Sequence, residues 1–467
     1  MAVPGGLPYD ARAPGPAIRI ATVPATPPEE SVPDIRPFRA LRYDLEVAGD
    51  PALLVAPPYD VIGPALHERL LARHPRNSVR LDLPAVVPGE DPDDRYRRVA
   101  RTLADWRSDG TLRRDPKPSV YVYEQTYRVP GTNLERTQRG FFARLRIEPF
   151  GPGSSVLPHE RTLSGPKEDR YRLLRATGLN TSPVVGLYED PARGAAAALA
   201  AIAEKNPVAD VVDDDGVRHR LWVVTAEPGG PAEAMLAAAS AGPVFIADGH
   251  HRYETAVRYR DERRVATSET DPAFDFLLML FLDAADSLTV LPTHRLVRAL
   301  GDQGLARLSD GLPRLFDAEP TTTESLVERF GGAGGLAGGE GRFGLLTRAG
   351  AWLLTARRSV FAPLQTTGGA AARALDVALL GTALDALLGI DAAAVAGGSR
   401  VSYTKSAAEA AAAVASGEDS VDAAFLLEPT PVASILAVAR DGDVMPQKST
   451  YFYPKALTGL LLNPHEW

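Results

Sequence analysis

Two alternating apolar runs joined by a short turn constrain this chain more than any other feature. "SVYVYEQTYRV" (residues 119–129) alternates Val120 and Val122 with tyrosines, and "RTQRGFFARLRIEPF" (residues 136–150) keeps the same period after the turn "PGTN". A period of two is the strand repeat, and a glycine-bearing turn of this length joins antiparallel neighbours, so the pair predicts a hairpin. Downstream the texture differs. "SPVVGLYED" reads as a strand, "RGAAAALAAIAEK" as a helix, "HRLWVVTAE" as a strand and "FDFLLMLFLD" as a buried strand. Hairpins mixed with crossover helices imply an α+β or α/β fold, in two lobes with a boundary near residues 300–340.

Two helices announce themselves by spacing. In "DPDDRYRRVARTLADWRSDGTL" the residues Tyr96, Val99, Leu103 and Trp106 fall three to four apart and Gly110 follows the end. "SGPKEDRYRLLRATGLN" has Pro166 in its first turn, Glu168 and Asp169 after it, and Gly178 past its end. "FRALRYD" and "LLVAPPYDVIG" read as short strands ended by proline and glycine turns. The expected organisation is a disordered, proline-rich leader over residues 1–35 and an α+β ligand-binding region over 36–305. A low-complexity loop region over 306–345, containing "GGAGGLAGGEG", and a C-terminal α/β lobe over 346–467 complete it.

Composition narrows the function. The chain of 467 residues has no cysteine, which removes disulfides, thiolate metal sites and cysteine nucleophiles and fits a cytoplasmic location. A formal charge of −8 argues against broad nucleic-acid binding. The leader lacks the charged and apolar regions of a signal peptide. The apolar run "LDVALLGTALDALLGIDAAAVAGG" carries Asp376, Asp385 and Asp391, so it reads as a packed helix and no membrane span is expected.

The chemistry concentrates at "PVFIADGHHRYETA", residues 243–256, where an apolar strand ends in Asp248, Gly249, His250, His251 and Arg252. A helix starting there aims unpaired N–H groups and a partial positive charge at the turn. Two imidazoles and Arg252 add donors, which is what a phosphate oxygen requires. Asp248 fits as a helix cap or as a metal ligand beside the phosphates. The plainer alternatives are a cap with one core histidine, or a transition-metal site at His250 and His251.

A second group is "VLPHERTLSGPKEDR": Lys167 sits where a helix dipole disfavours a cation unless a phosphate is present, and Glu160 beside His159 is a candidate general base. Pairing of Lys167 with Glu168 or Asp169 is the competing explanation. "LTVLPTHRLV" supplies His294 and Arg295, and the tail supplies Lys448, Ser449, Thr450, Tyr451, Tyr453 and Lys455. No P-loop, dinucleotide fingerprint, protein-kinase or zinc-protease motif is present.

Together "PPYDVI", "PHERTLSGPKEDR", "NTSPVVGLY", "IADGHHRYETA", "LPTHRLV" and "KSTYFYPK" resemble the domain of unknown function 1015 family, over residues 36–460. The strand ending in "DGHHR" is more distantly similar to the phosphate-binding turn of the ParB/sulfiredoxin-like superfamily, which includes CTP-binding partition proteins, sulfiredoxins and free serine kinases. Sulfiredoxin chemistry needs a cysteine and is excluded. The resemblance implies a ParB/sulfiredoxin-like nucleotide-binding core and phosphoryl transfer from ATP or ADP, with Mg2+, to a small hydroxylated metabolite, free L-serine first. It implies Glu160 and His251 in the chemistry, with Asp248, Gly249, His250, His251, Arg252, Lys167 and Lys448 on the phosphates. Asp248 would also ligate the metal, and His159, Arg161, His294 and Arg295 would meet the acceptor. The rival readings are a nucleotide-binding regulatory or scaffold protein without turnover, and a metal-dependent hydrolase. The expected partners are substrate and nucleotide, with no membrane or nucleic acid, and a homodimer is allowed.

Overall fold

The computed structural model of the protein describes residues 31–160, 164–332 and 338–467. The hairpin forms as predicted: β1 (Ser119–Arg128) pairs antiparallel with β2 (Glu135–Arg146), Tyr121 opposite Phe142. Around it grows a nine-stranded mixed sheet. Its other members are β3 (Val156–Leu157), β4 (Val184–Tyr188), β5 (Ala209–Val212), β6 (Arg218–Thr225), β7 (Val244–Asp248), β8 (Phe276–Asp283) and the short strand Ile35–Arg36. The order is β3-β7-β4-β8-β2-β1-β6-β5, with Ile35–Arg36 also on β2. The fold is α+β.

Helices α1 (Asp94–Ser108), α2 (Ser164–Thr177), α3 (Gly194–Ala203), α4 (Pro231–Ala239) and α5 (His250–Val265) accompany this sheet. Tyr96, Val99, Leu103 and Trp106 form the buried face of α1, as their spacing predicts. Full burial of a large apolar side chain contributes about 1.5–3 kcal/mol, so that stripe fixes the helix in place. Leu199 and Ile202 of α3 and Met235 of α4 pack on Val120, Val122, Phe141 and Phe281, one face of the sheet.

The other face, with Tyr121, Phe142, Leu278 and Leu280, shares a core with the second lobe. That lobe holds a six-stranded sheet of β9 (His294–Arg298), β10 (Phe316–Thr321), β11 (Arg342–Thr347), β12 (Gly350–Ala356), β13 (Val401–Thr404) and β14 (Val421–Leu427). Its order is β10-β12-β11-β14-β9-β13, antiparallel throughout. Helices α6 (Gly301–Leu315), α7 (Thr323–Phe330) and α8 (Asp376–Leu388) pack with it.

Four expectations change. Residues 306–345, expected as a loop, carry most of α6, then β10, α7 and the start of β11, because Leu308, Leu312, Leu315, Leu326 and Phe330 supply a buried stripe. The second sheet also starts earlier than expected, at His294. "LLVAPPYDVIG" is not a strand: Asp50 caps a helical turn Pro51–Leu54 by accepting from the Ala52 N–H, and Ala56 only bridges to Thr458. The leader lies outside the described residues except for residues 31–35. The Asp376 segment packs as α8, and among the described residues no helix is long and apolar enough to cross a membrane.

The tail, expected with the second lobe, returns to the first. Phe452–Tyr453 pairs with Thr289–Val290, Thr458 with Ala56, Leu462 with Leu41, and Asn463–Pro464 with Leu179–Asn180.

Candidate functional site

The sheet order builds the site. β3 and β7 are parallel neighbours, with Val156 beside Val244 and Leu157 beside Phe245. Three residues on from Leu157 and Phe245 lie Glu160 and Asp248, so the register carries both carboxylates to one end of the sheet. Ligands of sheets with helical crossovers favour such strand ends.

At the turn, Gly249 adopts φ 91° and α5 starts at His250 without a side-chain cap. The positive φ requires glycine, and a Cβ there would stand 2.9 Å from Arg252 Nε and push that side chain aside. Arg252 reaches back to the Asp248 carboxylate and donates to the Pro183 carbonyl. The tail's Lys455 takes the other Asp248 oxygen. Burial pushes the Asp248 carboxyl up, but Lys455 and Arg252 more than offset this and hold it well below the usual carboxylate range.

The two adjacent histidines take different surroundings. His250 is buried, and its Nε2 accepts the His159 N–H at 3.3 Å. The two rings meet edge to face at 4.6 Å, and His159 Nε2 lies 3.1 Å from the Thr450 hydroxyl. Burial lowers both imidazoles, His159 to about 4, so both are neutral at pH 7. His251 is only partly buried. Desolvation, then Lys448 and Lys167, lowers its pKa.

Glu160 is aligned by the tail. It bridges in parallel to Met445, whose N–H donates to the His159 carbonyl at 2.7 Å, and its Oε1 accepts the Lys448 N–H at 3.0 Å. Burial raises the Glu160 carboxyl above the ordinary glutamate range, against the pull of Lys448 and Lys455. Lys448 has φ 55°, a left-handed conformation rare outside glycine, asparagine and aspartate, and its carbonyl accepts from Thr293 Oγ1 at 2.7 Å.

The other sequence candidates divide. Lys167 pairs with Glu254 of α5, while Glu168 and Asp169, its expected partners, pair with arginines. His294 is a core residue: Nδ1 accepts the Leu427 N–H at 3.2 Å and burial lowers its pKa to about 4. Arg295 lies beside Tyr403 and within the electrostatic field of Glu160. Arg161 lies outside the described residues.

Asp60, Tyr403 and Lys405 were not singled out from the sequence. Asp60, in "PPYDVI", acts electrostatically on His251, Arg252, Lys405 and Tyr451. The Lys405 ammonium lies 3.9 Å from the Tyr451 ring centre and that of Lys455 4.4 Å from the same ring. The "PPYD" motif was visible in the sequence, but nothing in it ties residue 60 to residue 248. Lys405 follows an undistinguished strand.

Asp248 does not fit the metal-ligand role. Its two oxygens meet Lys455 and Arg252, and its place beneath Gly249 makes it an ion-pair partner and no helix cap. His250 is turned to a backbone N–H, and among the described residues no three His, Asp or Glu side chains cluster for a metal ion. The donor set therefore fits neither a protein-held Mg2+ nor a hydrolytic metal at the histidine pair.

Several solved structures are similar at low identity. A conserved hypothetical protein from Pyrococcus furiosus shares 13% identity, with 64% of this chain and 87% of that one covered and a TM-score of 0.31. A free serine kinase in complex with AMP shares 13%, covering 70% and 90%, with a TM-score of 0.33. SbnI with C-terminal truncation from Staphylococcus aureus shares 10%, covering 66% and 83%, with a TM-score of 0.32. No curated protein matches the chain. The pattern of one protein family of unknown function, DUF1015, matches residues 35–378, and to that family this chain belongs.

Proposed function

We propose that the chain is a nucleotide-dependent phosphotransferase acting on a small hydroxylated metabolite, with free L-serine to O-phosphoserine the first reaction to test. The observation that carries this reading is the alignment of Glu160. A partly buried carboxylate with a raised pKa, steered by the Lys448 N–H, stands level with a glycine-hinged helix start rich in cations. Phosphoryl transfer depends chiefly on positioning and charge stabilisation, and this site offers both.

In this reading Glu160 takes the proton of the acceptor hydroxyl as that oxygen attacks the terminal phosphorus of ATP or ADP. The departing nucleotide keeps the electrons of the broken P–O bond. The N–H groups following Gly249 and the His251 imidazole donate to the phosphates, and Lys448, Arg252 and Lys167 offset their charge. Magnesium would arrive with the nucleotide, as part of the substrate. His250 and His159 hold the Glu160 strand against the turn, and Arg295, with Arg161 by its sequence position, serves the acceptor.

Purified protein incubated with magnesium and ATP or ADP, against hydroxylated amino acids and sugars, tests this by mass spectrometry. A product heavier by one phosphoryl group, lost in Glu160→Gln, supports it. Nucleotide binding with no product from any acceptor would overturn it.

One observation favours a second reading, a nucleotide-responsive regulatory protein. Lys455 ties the tail to Asp248, so a phosphate competing for that lysine would loosen the tail. Tail protection from hydrogen exchange that falls on nucleotide binding, without turnover, is its signature.

A further inference from the structure

Two threonines of the second lobe hold consecutive carbonyls of the tail. Thr293, the residue before β9, donates its hydroxyl to the Lys448 carbonyl at 2.7 Å. Thr430, just past the end of β14, donates to the Ser449 carbonyl at 3.1 Å. Both threonines are buried, and so is Ser449, whose own hydroxyl turns back to the Pro446 carbonyl. β9 and β14 are paired neighbours, and His294 ties their adjoining ends by accepting the Leu427 N–H at Nδ1. The two hydroxyls therefore come from one end of the second sheet.

Arg295 sets the direction of the first contact. Its Nη1 donates to the Thr293 carbonyl and, at 2.7 Å, to the Thr293 hydroxyl oxygen. A guanidinium can only donate, so the hydroxyl that accepts from it must send its own proton on to the Lys448 carbonyl. That bond holds the carbonyl of a residue whose φ is 55°. With the carbonyl held, the backbone angles of Lys448 decide where its N–H points, and here it meets Glu160 Oε1 at 3.0 Å. At the negative φ that an unrestrained lysine prefers, the N–H would swing away. The chain of donors runs one way, from Arg295 through Thr293 and Lys448 to the carboxylate.

We infer that Thr293 and Thr430, with Arg295 behind Thr293, are positioning residues for Glu160, and that the second lobe is the clamp that presents the Lys448 N–H to the base. This role rests on the phosphotransferase reading, which supplies the proton for Glu160 to take. Neither threonine needs to touch a reacting atom, and for Arg295 the task is separate from meeting the acceptor. A catalytic group misplaced by about 1 Å can lose about 100-fold in rate, so two buried hydroxyls are enough to matter.

The Lys448 amide reports the alignment without nucleotide or turnover. In protein carrying isotope-labelled lysine, its signal is the one that disappears in Lys448→Arg. That signal should move with pH as Glu160 ionises, and stop doing so in Glu160→Gln. Thr293→Val should speed hydrogen exchange at this amide about tenfold. Because the N–H stabilises the carboxylate and lowers its pKa, the same variant should move the inflection up by about half a unit or more. Thr293→Ser should restore both, and the amide of Lys205, just past α3, should not change. Arg295→Met should act in the same direction as Thr293→Val; no effect there would remove Arg295 from the chain.

A Lys448 amide that ignores Glu160, an unchanged exchange and inflection in Thr293→Val, or an equal change at Lys205 would each overturn the clamp. If Thr293→Val does not fold, Thr430→Val carries the same test, with a smaller change in the same direction expected and no change overturning it. Where turnover is found, Thr293→Val should lower kcat with KM little changed and shift the pH inflection by the same amount. If no acceptor is phosphorylated, the phosphotransferase reading fails by itself, and the amide still decides the alignment.

Discussion

The backbone N–H of Lys448 donates to Oε1 of Glu160 at 3.0 Å, across 288 residues of sequence. The contact turns the carboxylate without adding a fixed charge, and leaves its second oxygen outside that bond. Its donor sits in a left-handed conformation that the surrounding bonds hold in place.

Replacement of Glu160 by glutamine should cost about 100-fold or more in turnover, the usual worth of a general base, with nucleotide affinity changed little. The base must be unprotonated, so turnover should rise with pH through the Glu160 pKa. That inflection should lie above the ordinary glutamate range, since burial raises it. Steady-state rates across pH, with calorimetric nucleotide binding for the variant, check both statements.

Lys448 should be less stable than glycine in the same place once its charge is set aside. Lys448→Ala removes the side chain and keeps the left-handed penalty, whereas Lys448→Gly removes both. The glycine variant should unfold at higher denaturant than the alanine variant, by about 1 kcal/mol. Equal midpoints would place no strain at this residue.

Asp248→Asn should destabilise the protein by about 3–5 kcal/mol, because Arg252 and Lys455 would lose the one carboxylate they share in a largely buried setting. Chemical denaturation measures the loss. Since the folded-state pKa is depressed, this contribution is complete above the unfolded aspartate pKa and is lost only as pH falls toward the folded value.

His159 and His250 should make the fold acid-sensitive at milder pH. Both are held neutral by burial, His159 down to about 4, so the unfolded chain binds more protons between that value and the ordinary histidine pKa of about 6.5. Stability should fall as pH drops through this window. His250→Ala should flatten part of the dependence while leaving the His159 N–H unsatisfied, at about 1–3 kcal/mol. Thermal melts from pH 7 to 4 read both effects.

What the sequence disclosed follows from range. The hairpin, α1 and the helix start at His250 are local patterns of period, turn and cap, and each was readable over a dozen residues. "DGHHR" and "PHER" were readable as motifs, and the β3–β7 register explains why they meet. The helical stripe of Leu308, Leu312 and Leu315 was also local, but the nearby glycine-rich run obscured it. Asp60 and Lys405 lacked any local sign, because their relation to the turn exists only after both sheets have packed. Asp248 was misjudged because its partner Lys455 lies 207 residues away, and a carboxylate looks like a ligand until its cations are known.

The returning tail has a consequence for biosynthesis. Residues 445–455 leave the ribosome after both sheets have been made, yet they bring Lys448 to Glu160 and Lys455 to Asp248. A chain halted before Met445 could bury much of its core and still have no aligned base and an acidic turn short of one cation. Maturation of this site thus waits until residues 445–455 have been made, and copies that stop short of them would lack the aligned base.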